Sequence, residues 1–171
     1  MGERSDSKAS SKKNRTTAER PSERELVVRR TFDAPARIVF EAWTRPELFA
    51  RWWAPKSMGM SLLSCEMEVR IGGRYRLVIS HGASEPMEFF GTYLEVVPHS
   101  RLVWTNDEGG DGGHITTITF EEKDDKTLLV MRERYPSKEA LDAAGAGTAD
   151  GMAETFEQLD ELLMATGASV G

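Results

Sequence analysis

The sequence is poor in cysteine and histidine and has no long apolar run. Cys65 is the sole cysteine among 171 residues, so no disulfide can form within the chain. Such usage is typical of a reducing compartment. The first 22 residues carry charges but no apolar segment of the kind that a secretory signal needs. Because a membrane helix needs about 20 apolar residues, we expect a cytoplasmic protein without a membrane span.

Motifs for metal binding and nucleophilic catalysis are also missing. His81, His99 and His114 are far apart, and no HxxxH, HExxH or CxxC spacing is present. His81 and His114 are interpreted as residues at loop ends. Cys65 lies in an apparent strand and is interpreted as a small, partly buried thiol. There is no GxSxG motif, and the glycine pairs are typical of hairpin turns. We therefore predict no metal and no cofactor.

The charge is unevenly distributed along the chain. The net charge is −6, yet residues 1–24 hold seven Lys or Arg against four Asp or Glu. The remainder is therefore acidic, which argues against nucleic acid as a partner. The basic segment has almost no large apolar residues, so we predict a disordered tail over 1–24. Contact of this tail with an anionic surface is the alternative.

Periodicity predicts one α+β domain over residues 25–167, followed by a flexible C-terminus at 168–171. Alternation in "ELVVRRTF" predicts a first strand, and "APARIVFEAWT" and "RPELFARWW" predict two short helices. From residue 60 the period becomes two, which predicts six more strands separated by turn signals. Their short connections indicate an antiparallel meander. A short helical piece, a glycine-rich break at 145–151 and a final amphipathic helix complete the prediction.

Several stretches in this order resemble a known superfamily. They are "APARIVFEAWTRPELFARWWAP", "GGRYRL", "FFGTYLEVVPHSRLVWTN", "ITTITFEE" and "GMAETFEQLDELL". Together they resemble the SRPBCC or START-like superfamily, and within it the family of homologues of the activator of the heat-shock-protein-90 ATPase. The resemblance implies the helix-grip fold, a seven-stranded curved antiparallel sheet wrapped around a long C-terminal helix, with two short helices between the first two strands. It also implies a cavity between the sheet and that helix.

Binding of a hydrophobic or aromatic small molecule in this cavity is the favoured function. Met152, Phe156 and Leu159 fall on one helical stripe, and aromatic and methionine side chains offer adaptable apolar surface. The predicted ligand-binding residues are Trp52, Trp53, Tyr75, Leu77, Phe89, Tyr93, Trp104, Ile118, Met131, Glu133, Met152, Phe156 and Leu159.

The role of Glu133 is the main open question about the predicted site. It shares a strand face with Met131 and Leu129. In a dry cavity it could orient a polar ligand group or act as an acid or base. The alternative is a solvated strand end.

Two other functions stay open. One is a chaperone-associated role in the stress response, which the family resemblance alone supports. The other is a cavity enzyme of the cyclase or hydrolase type, with Glu133, Tyr93 and His81 as polar groups. Binding is favoured over catalysis because no set of catalytic residues can be assigned from the sequence.

For the oligomeric state, we expect a monomer or a weak dimer.

The adjacent Trp52 and Trp53 pose a geometric problem. Neighbouring helical residues point about 100° apart, so one core can rarely bury both. We predict that one ring packs into the core and the other lies over the cavity mouth or on the surface. Partner binding by an exposed ring is the third possibility. Both have a large apolar residue four positions earlier, Leu48 and Phe49, so the sequence does not choose between them.

Overall fold

The architecture was obtained from a computed structural model, which describes residues 16–82, 84–107 and 113–170. The side chains at 145–147 and 166–170 lie outside this description. The strands are β1 (Thr17–Ser22), β2 (Glu25–Phe32), β3 (Met60–Met67), β4 (Arg74–His81), β5 (Ser84–Val97), β6 (Arg101–Thr105), β7 (Ile115–Lys123) and β8 (Lys126–Arg134). The helices are α1 (Ala36–Thr44), α2 (Pro46–Trp52) and α3 (Lys138–Val170), with a short 3₁₀ helix at Lys56–Met58.

The strands form one antiparallel sheet in the order β1-β2-β8-β7-β6-β5-β4-β3. Along β7 and β8 the buried and accessible residues alternate, because successive side chains of a strand point to opposite faces. The buried face carries Ile118 opposite Met131 and Thr116 opposite Glu133. This face looks toward α3, so the structure has the predicted helix-grip architecture.

The sheet has one strand more than the seven predicted. Residues 17–22, assigned from composition to the basic tail, form β1 and pair with β2. All six residues are exposed, so no hydrophobic pattern could have revealed this strand. It is held by backbone pairing and by contacts such as Arg20 with Asp142, 2.7 Å apart. The part of the predicted tail before residue 16 lies outside the described residues.

The predicted break between two C-terminal helical pieces is wrong. Helix α3 runs without interruption for 33 residues, from Lys138 to Val170. Glycines at 145, 147 and 151 each disfavour helix by about 1 kcal/mol relative to alanine, which is why the segment has the pattern of a break. Buried residues on both sides, Leu141 and Met152, anchor the helix to the rest of the domain. Tertiary packing thus outweighs local propensity.

Strand β5 pairs with β4 as far as Thr92 and with β6 from Tyr93 onward, and Gly91 lies just before this exchange of partners. A Cβ atom at this position would lie 1.8 Å from the carbonyl oxygen of Thr105 and 2.9 Å from the ring of Tyr75. Only glycine allows such a close approach. The rings of Tyr75, Tyr93 and Trp104 lie within 6.3 Å of one another beside this close approach. None of the described helices is both long and apolar enough to span a membrane.

Candidate functional site

A cavity of about 410 Å³ lies between the concave face of the sheet and α3. Its walls come from β3 to β8, from Trp43 of α1 and Phe49 of α2, from the segment after α2 and from the first half of α3. The volume falls within the usual range of small-molecule sites, about 300–1,000 Å³. The cavity is therefore large enough for a ligand of drug size.

Small residues on α3 create this space. Ala144, Thr148 and Gly151 are spaced as neighbours on one helical face and all three line the cavity. A stripe of larger residues begins one residue further on; Met152 still borders the cavity, whereas Phe156 and Leu159 pack into the core. The segment predicted as a break is thus the part of the helix that leaves room above the sheet.

Nine of the thirteen predicted site residues line the cavity, namely Trp53, Tyr75, Leu77, Phe89, Tyr93, Trp104, Met131, Glu133 and Met152. The other four, Trp52, Ile118, Phe156 and Leu159, are fully buried in the hydrophobic core and are not part of its lining. They lie on the buried faces of their elements, as the periodicity predicts, but do not border the cavity. Sequence periodicity predicts which face of a helix or strand is buried, but it does not predict which residues on that face border a cavity.

The structure separates the two adjacent tryptophans. Helix α2 ends at Trp52, whose ring is fully buried and whose indole N–H donates to the carbonyl of Ala42 at 2.9 Å. Trp53 has an extended backbone, is partly exposed and lines the cavity. The Trp52 ring therefore packs into the core and the Trp53 ring contacts the cavity. The change from helical to extended backbone between the two residues separates their directions.

Helix α3 holds the segment after α2 in place through Gln158. Its side-chain amide donates to the carbonyls of Trp52 and Ala54, both at 2.9 Å, and its carbonyl accepts the Lys56 N–H at 2.9 Å. Ala54 has φ of 84°, a left-handed conformation that is costly for alanine. Gln158 thus fixes the backbone on both sides of Trp53.

Glu154, one turn before Gln158 on α3, holds the 3₁₀ helix at Lys56–Met58 in place. It accepts hydrogen bonds from the backbone N–H and the hydroxyl of Ser57. These contacts hold the pKa of the Glu154 carboxyl below its usual value. Met58 and Met60, which follow Ser57, line the cavity. The two clamping residues therefore position both an aromatic ring and two flexible methionines at the cavity.

Polar side chains gather at one end of the otherwise apolar cavity. The Tyr75 hydroxyl lies within donating distance of two acceptors, the Thr105 carbonyl at 2.8 Å and Oδ1 of Asn106 at 3.1 Å. The Asn106 amide donates to the Thr116 hydroxyl at 3.0 Å and to the His114 carbonyl at 3.1 Å. The Thr116 hydroxyl in turn donates to Oε1 of Glu133 at 2.9 Å. These residues form a connected network from β4 to β8.

His114 completes this polar cluster, which we define as Tyr75, Asn106, His114, Thr116 and Glu133. Its Nε2 contacts Oε2 of Glu133 as an ion pair when the imidazole is protonated. Glu133 is only 5 % exposed, so the solvated strand end considered from the sequence is excluded. The carboxylate instead lies at the inner end of the apolar face.

Tyr135 packs against the polar cluster from just beyond the end of β8. Its ring stacks on His114, with centroids 4.5 Å apart and an interplanar angle of 18°. Burial, with a further contribution from the negative charge of Glu133, raises the pKa of the Tyr135 hydroxyl to about 12. Burial also raises the pKa of Tyr93 above its ordinary value. Neither tyrosine is ionised near neutral pH, so both act there as uncharged groups.

The structure adds His114 and Asn106 to the candidate site and leaves His81 outside it. His114 does lie at a loop end, but its side chain lines the cavity. Asn106 joins the site although it follows a strand in an ordinary turn-like sequence. His81, considered as a polar group for catalysis, is exposed at the end of β4 and is not part of the lining. The pairing of β6 with β7 brings Asn106 and His114 together. Neither residue therefore has a local sequence signal that would identify it as part of a site.

Cys65 behaves as a partly buried thiol. Its Sγ lies 3.4 Å from the sulfur of Met67. Burial, with a smaller effect of Glu47, raises its pKa to about 11. The thiol is therefore protonated at neutral pH and poorly nucleophilic. Across the described residues, no three His, Cys, Asp or Glu side chains are grouped to hold a metal ion.

The fold and the site together define a helix-grip domain with an internal, mostly apolar cavity. The family model for Activator of Hsp90 ATPase homolog 1-like proteins matches residues 33–164. The chain therefore belongs to this family, as the resemblance within the SRPBCC superfamily indicated.

Solved structures give the same answer at the level of the fold. A protein from Rhodobacter sphaeroides is similar with a TM-score of 0.80 and 26% identity, over 88% of this chain and 98% of that one. A protein from Nitrosomonas europaea has a TM-score of 0.79 and 24% identity, over 87% and 99%. One from Chromobacterium violaceum has a TM-score of 0.69 and 28% identity, over 82% and 97%. Among curated proteins, none matches the chain.

Proposed function

We propose that the chain binds a hydrophobic, aromatic small molecule in the cavity between the sheet and α3. The observation that carries this proposal is a space of about 410 Å³ lined by aromatic and methionine side chains, with a polar cluster at one end. Apolar cavities with a few convergent polar groups are the usual small-molecule sites. Membership of a superfamily whose fold commonly holds hydrophobic ligands supports the same function.

Aromatic rings supply the surface for such a ligand. Trp53 lines the cavity from the α2–β3 connection, Phe89 from β5 and Trp104 from β6. Stacked and edge-on aromatic contacts add about 0.5–1.5 kcal/mol each beyond area burial. The methionines at 58, 60 and 67 can adapt to ligand shape because their side chains are unbranched and flexible.

The proposal can be tested with the neutral dye N-phenyl-1-naphthylamine, whose fluorescence rises in apolar surroundings. We expect saturable binding to the wild-type chain. Ala144→Leu, which extends a side chain into the cavity, should weaken binding about tenfold or more. Ala143→Leu is the matched control, since Ala143 is exposed on the same helix. Absence of saturable binding, or equal binding by both variants, would contradict the proposal.

A cavity enzyme is the second candidate, and the contact between His114 and Glu133 favours it. A histidine held by a buried carboxylate is a common arrangement for proton transfer. In that case Glu133→Gln should abolish turnover of a substrate while the far-ultraviolet circular dichroism stays unchanged. The chaperone-associated role rests on the family description, and a pull-down from lysate against a heat-shock chaperone would test it.

A further inference from the structure

We infer that the ligand is an uncharged aromatic alcohol, whose hydroxyl group donates a hydrogen bond to the polar cluster. This inference rests on the proposed function and specifies the class of molecule that the cavity takes. It follows from the charges that line the cavity and from the hydrogen-bonding capacity that remains in the cluster.

The first argument concerns charge. Among the described residues that line the cavity, Glu133 is the one carboxylic acid and His114 the one imidazole, and no lysine or arginine is present. These two side chains contact each other. A ligand carboxylate would therefore lose its hydration without meeting a lysine or arginine, and a ligand ammonium would have to displace His114 from Glu133 in order to pair with it. Burial of an unpaired ion is costly, so a neutral ligand is preferred.

The second argument concerns donors. Both N–H groups of the Asn106 amide are engaged, one by Thr116 and one by the His114 carbonyl. The Thr116 hydroxyl proton is directed to Glu133. A ligand that could only accept hydrogen bonds, such as an ether or a ketone, would find these donors already in use.

The third argument concerns acceptors. Oδ1 of Asn106 shares the single Tyr75 hydroxyl proton with the Thr105 carbonyl, and a carbonyl oxygen has two lone pairs. The Glu133 carboxylate has about four acceptor sites, of which Thr116 and His114 occupy two. Asn106 and Glu133 thus retain acceptor capacity at this end of the cavity. A ligand hydroxyl would supply a further donor, and a bond to the carboxylate would be strengthened by its charge.

A matched naphthalene series tests this inference by displacement of the neutral dye at neutral pH. The four compounds are 2-naphthol, 2-methoxynaphthalene, 2-naphthoic acid and 2-(aminomethyl)naphthalene, which share one ring system and differ in charge and donor capacity. We expect 2-naphthol to bind about tenfold tighter than its methyl ether, as a hydrogen bond to a charged group implies. Both ions should bind more weakly than 2-naphthol.

Glu133→Gln should reduce the preference for 2-naphthol over the ether several-fold, because the amide replaces an acceptor oxygen with a donor. Glu121→Gln is the matched control, since it removes one charge from an exposed site on β7. If Glu133→Gln does not fold, Thr116→Val provides a second test. It frees an Asn106 N–H and should reduce the same preference by improving binding of the ether.

The outcomes separate the two proposals. If neither the dye nor any naphthalene binds saturably, the proposed function fails. If the compounds bind but the ether equals 2-naphthol, or either ion binds tighter than 2-naphthol, the cavity function stands and the inference about its ligand is overturned. An unchanged preference in a folded Glu133→Gln protein would also overturn it.

Discussion

The ring of Trp53 stacks on Phe49, with ring centroids 4.8 Å apart and an interplanar angle of 24°. The two residues are one helical turn apart, and the Trp53 N–H donates to the Phe49 carbonyl at 3.1 Å as the last bond of the helix. Both rings line the cavity. The end of α2 therefore forms part of the cavity wall from two residues that are four positions apart in sequence.

Trp52 has a different structural role, which predicts a clear difference between the two tryptophans. In α1 the carbonyl of Ala42 would normally accept from residue 46, but that residue is proline and has no N–H. The Trp52 indole supplies the donor instead. Trp52→Phe should therefore lower the free energy of unfolding by about 2 kcal/mol or more, because an unsatisfied buried carbonyl alone costs about 1–3 kcal/mol.

Urea denaturation followed by circular dichroism measures this change. Trp53→Phe is the matched control and should cost clearly less, since its ring is partly exposed at the cavity instead of fully buried in the core. If the dye binds in the cavity, Trp53→Phe should also alter the fluorescence energy transfer from the tryptophans of the protein to the bound dye. Equal destabilisation by the two substitutions would contradict the assigned roles.

Gln158 should control the order of the segment that carries Trp53. Gln158→Leu removes the donors to the Trp52 and Ala54 carbonyls and the acceptor for the Lys56 N–H. Each such bond contributes about 0.5–1.5 kcal/mol, and Ala54 needs support for its left-handed backbone. We expect the Lys56 amide to exchange its hydrogen about tenfold faster or more in this variant.

Hydrogen exchange followed by nuclear magnetic resonance provides the measurement for individual amides. Glu161→Gln, an exposed substitution on the same helix, should leave the Lys56 amide unaffected. Amides in β7 and β8 serve as an internal reference for global stability. An unchanged Lys56 exchange rate in Gln158→Leu would show that the segment is held by other contacts.

Sequence reasoning finds the parts of the fold that depend on alternating apolar residues. The pattern of β4 places Tyr75 and Leu77 on one face, and the pattern of β8 does the same for Met131 and Glu133; both pairs line the cavity. Such patterns are strong because a shift of one residue would turn every side chain to the wrong face. Strand β1 escapes this kind of prediction because it has no buried face.

The polar cluster could not be predicted in full, since its members are far apart in sequence. The strand pattern makes Glu133 a candidate, but its contacts with Thr116 and His114 depend on the register of β7 against β8. The continuous course of α3 likewise depends on buried residues at both ends of a glycine-rich segment. In both cases tertiary contacts decide what local sequence leaves open.

Gly91 should tolerate substitution poorly, because its close approach to the Thr105 backbone requires the absence of a side chain. An alanine Cβ would lie 1.8 Å from the Thr105 carbonyl oxygen, which belongs to the backbone and cannot move independently. We expect Gly91→Ala to lower the free energy of unfolding by more than about 3 kcal/mol, at the upper end of typical overpacking costs. Thermal unfolding followed by circular dichroism measures the effect.

Gly59→Ala is the informative comparison for this substitution. Gly59 has φ of 72°, but a Cβ atom added there would meet no other atom within 4 Å. Its replacement should therefore cost about 1–2 kcal/mol from backbone strain alone. If Gly91→Ala were no more destabilising than Gly59→Ala, the close approach to Thr105 would not be a requirement of the fold.

The stability of the domain at alkaline pH should depend on Tyr135. Burial and the charge of Glu133 raise its pKa to about 12, whereas an exposed tyrosine titrates near about 10. Between these values the unfolded chain releases the phenolic proton and the folded chain keeps it. The folded state therefore binds more protons, and the free energy of unfolding falls as the pH rises from about 10 towards 12.

Tyr135→Phe removes this proton and should flatten that part of the pH dependence. Urea denaturation at a series of alkaline pH values compares the slopes of the two proteins, and their difference isolates Tyr135 from lysine and cysteine titration. Tyrosinate absorbance in the near ultraviolet gives an independent measure, since the variant should lose a late-titrating group. Because the substitution also removes the hydrogen bond with Thr148, a constant loss of stability at all pH values is expected. A slope equal to that of the wild type would contradict the raised pKa.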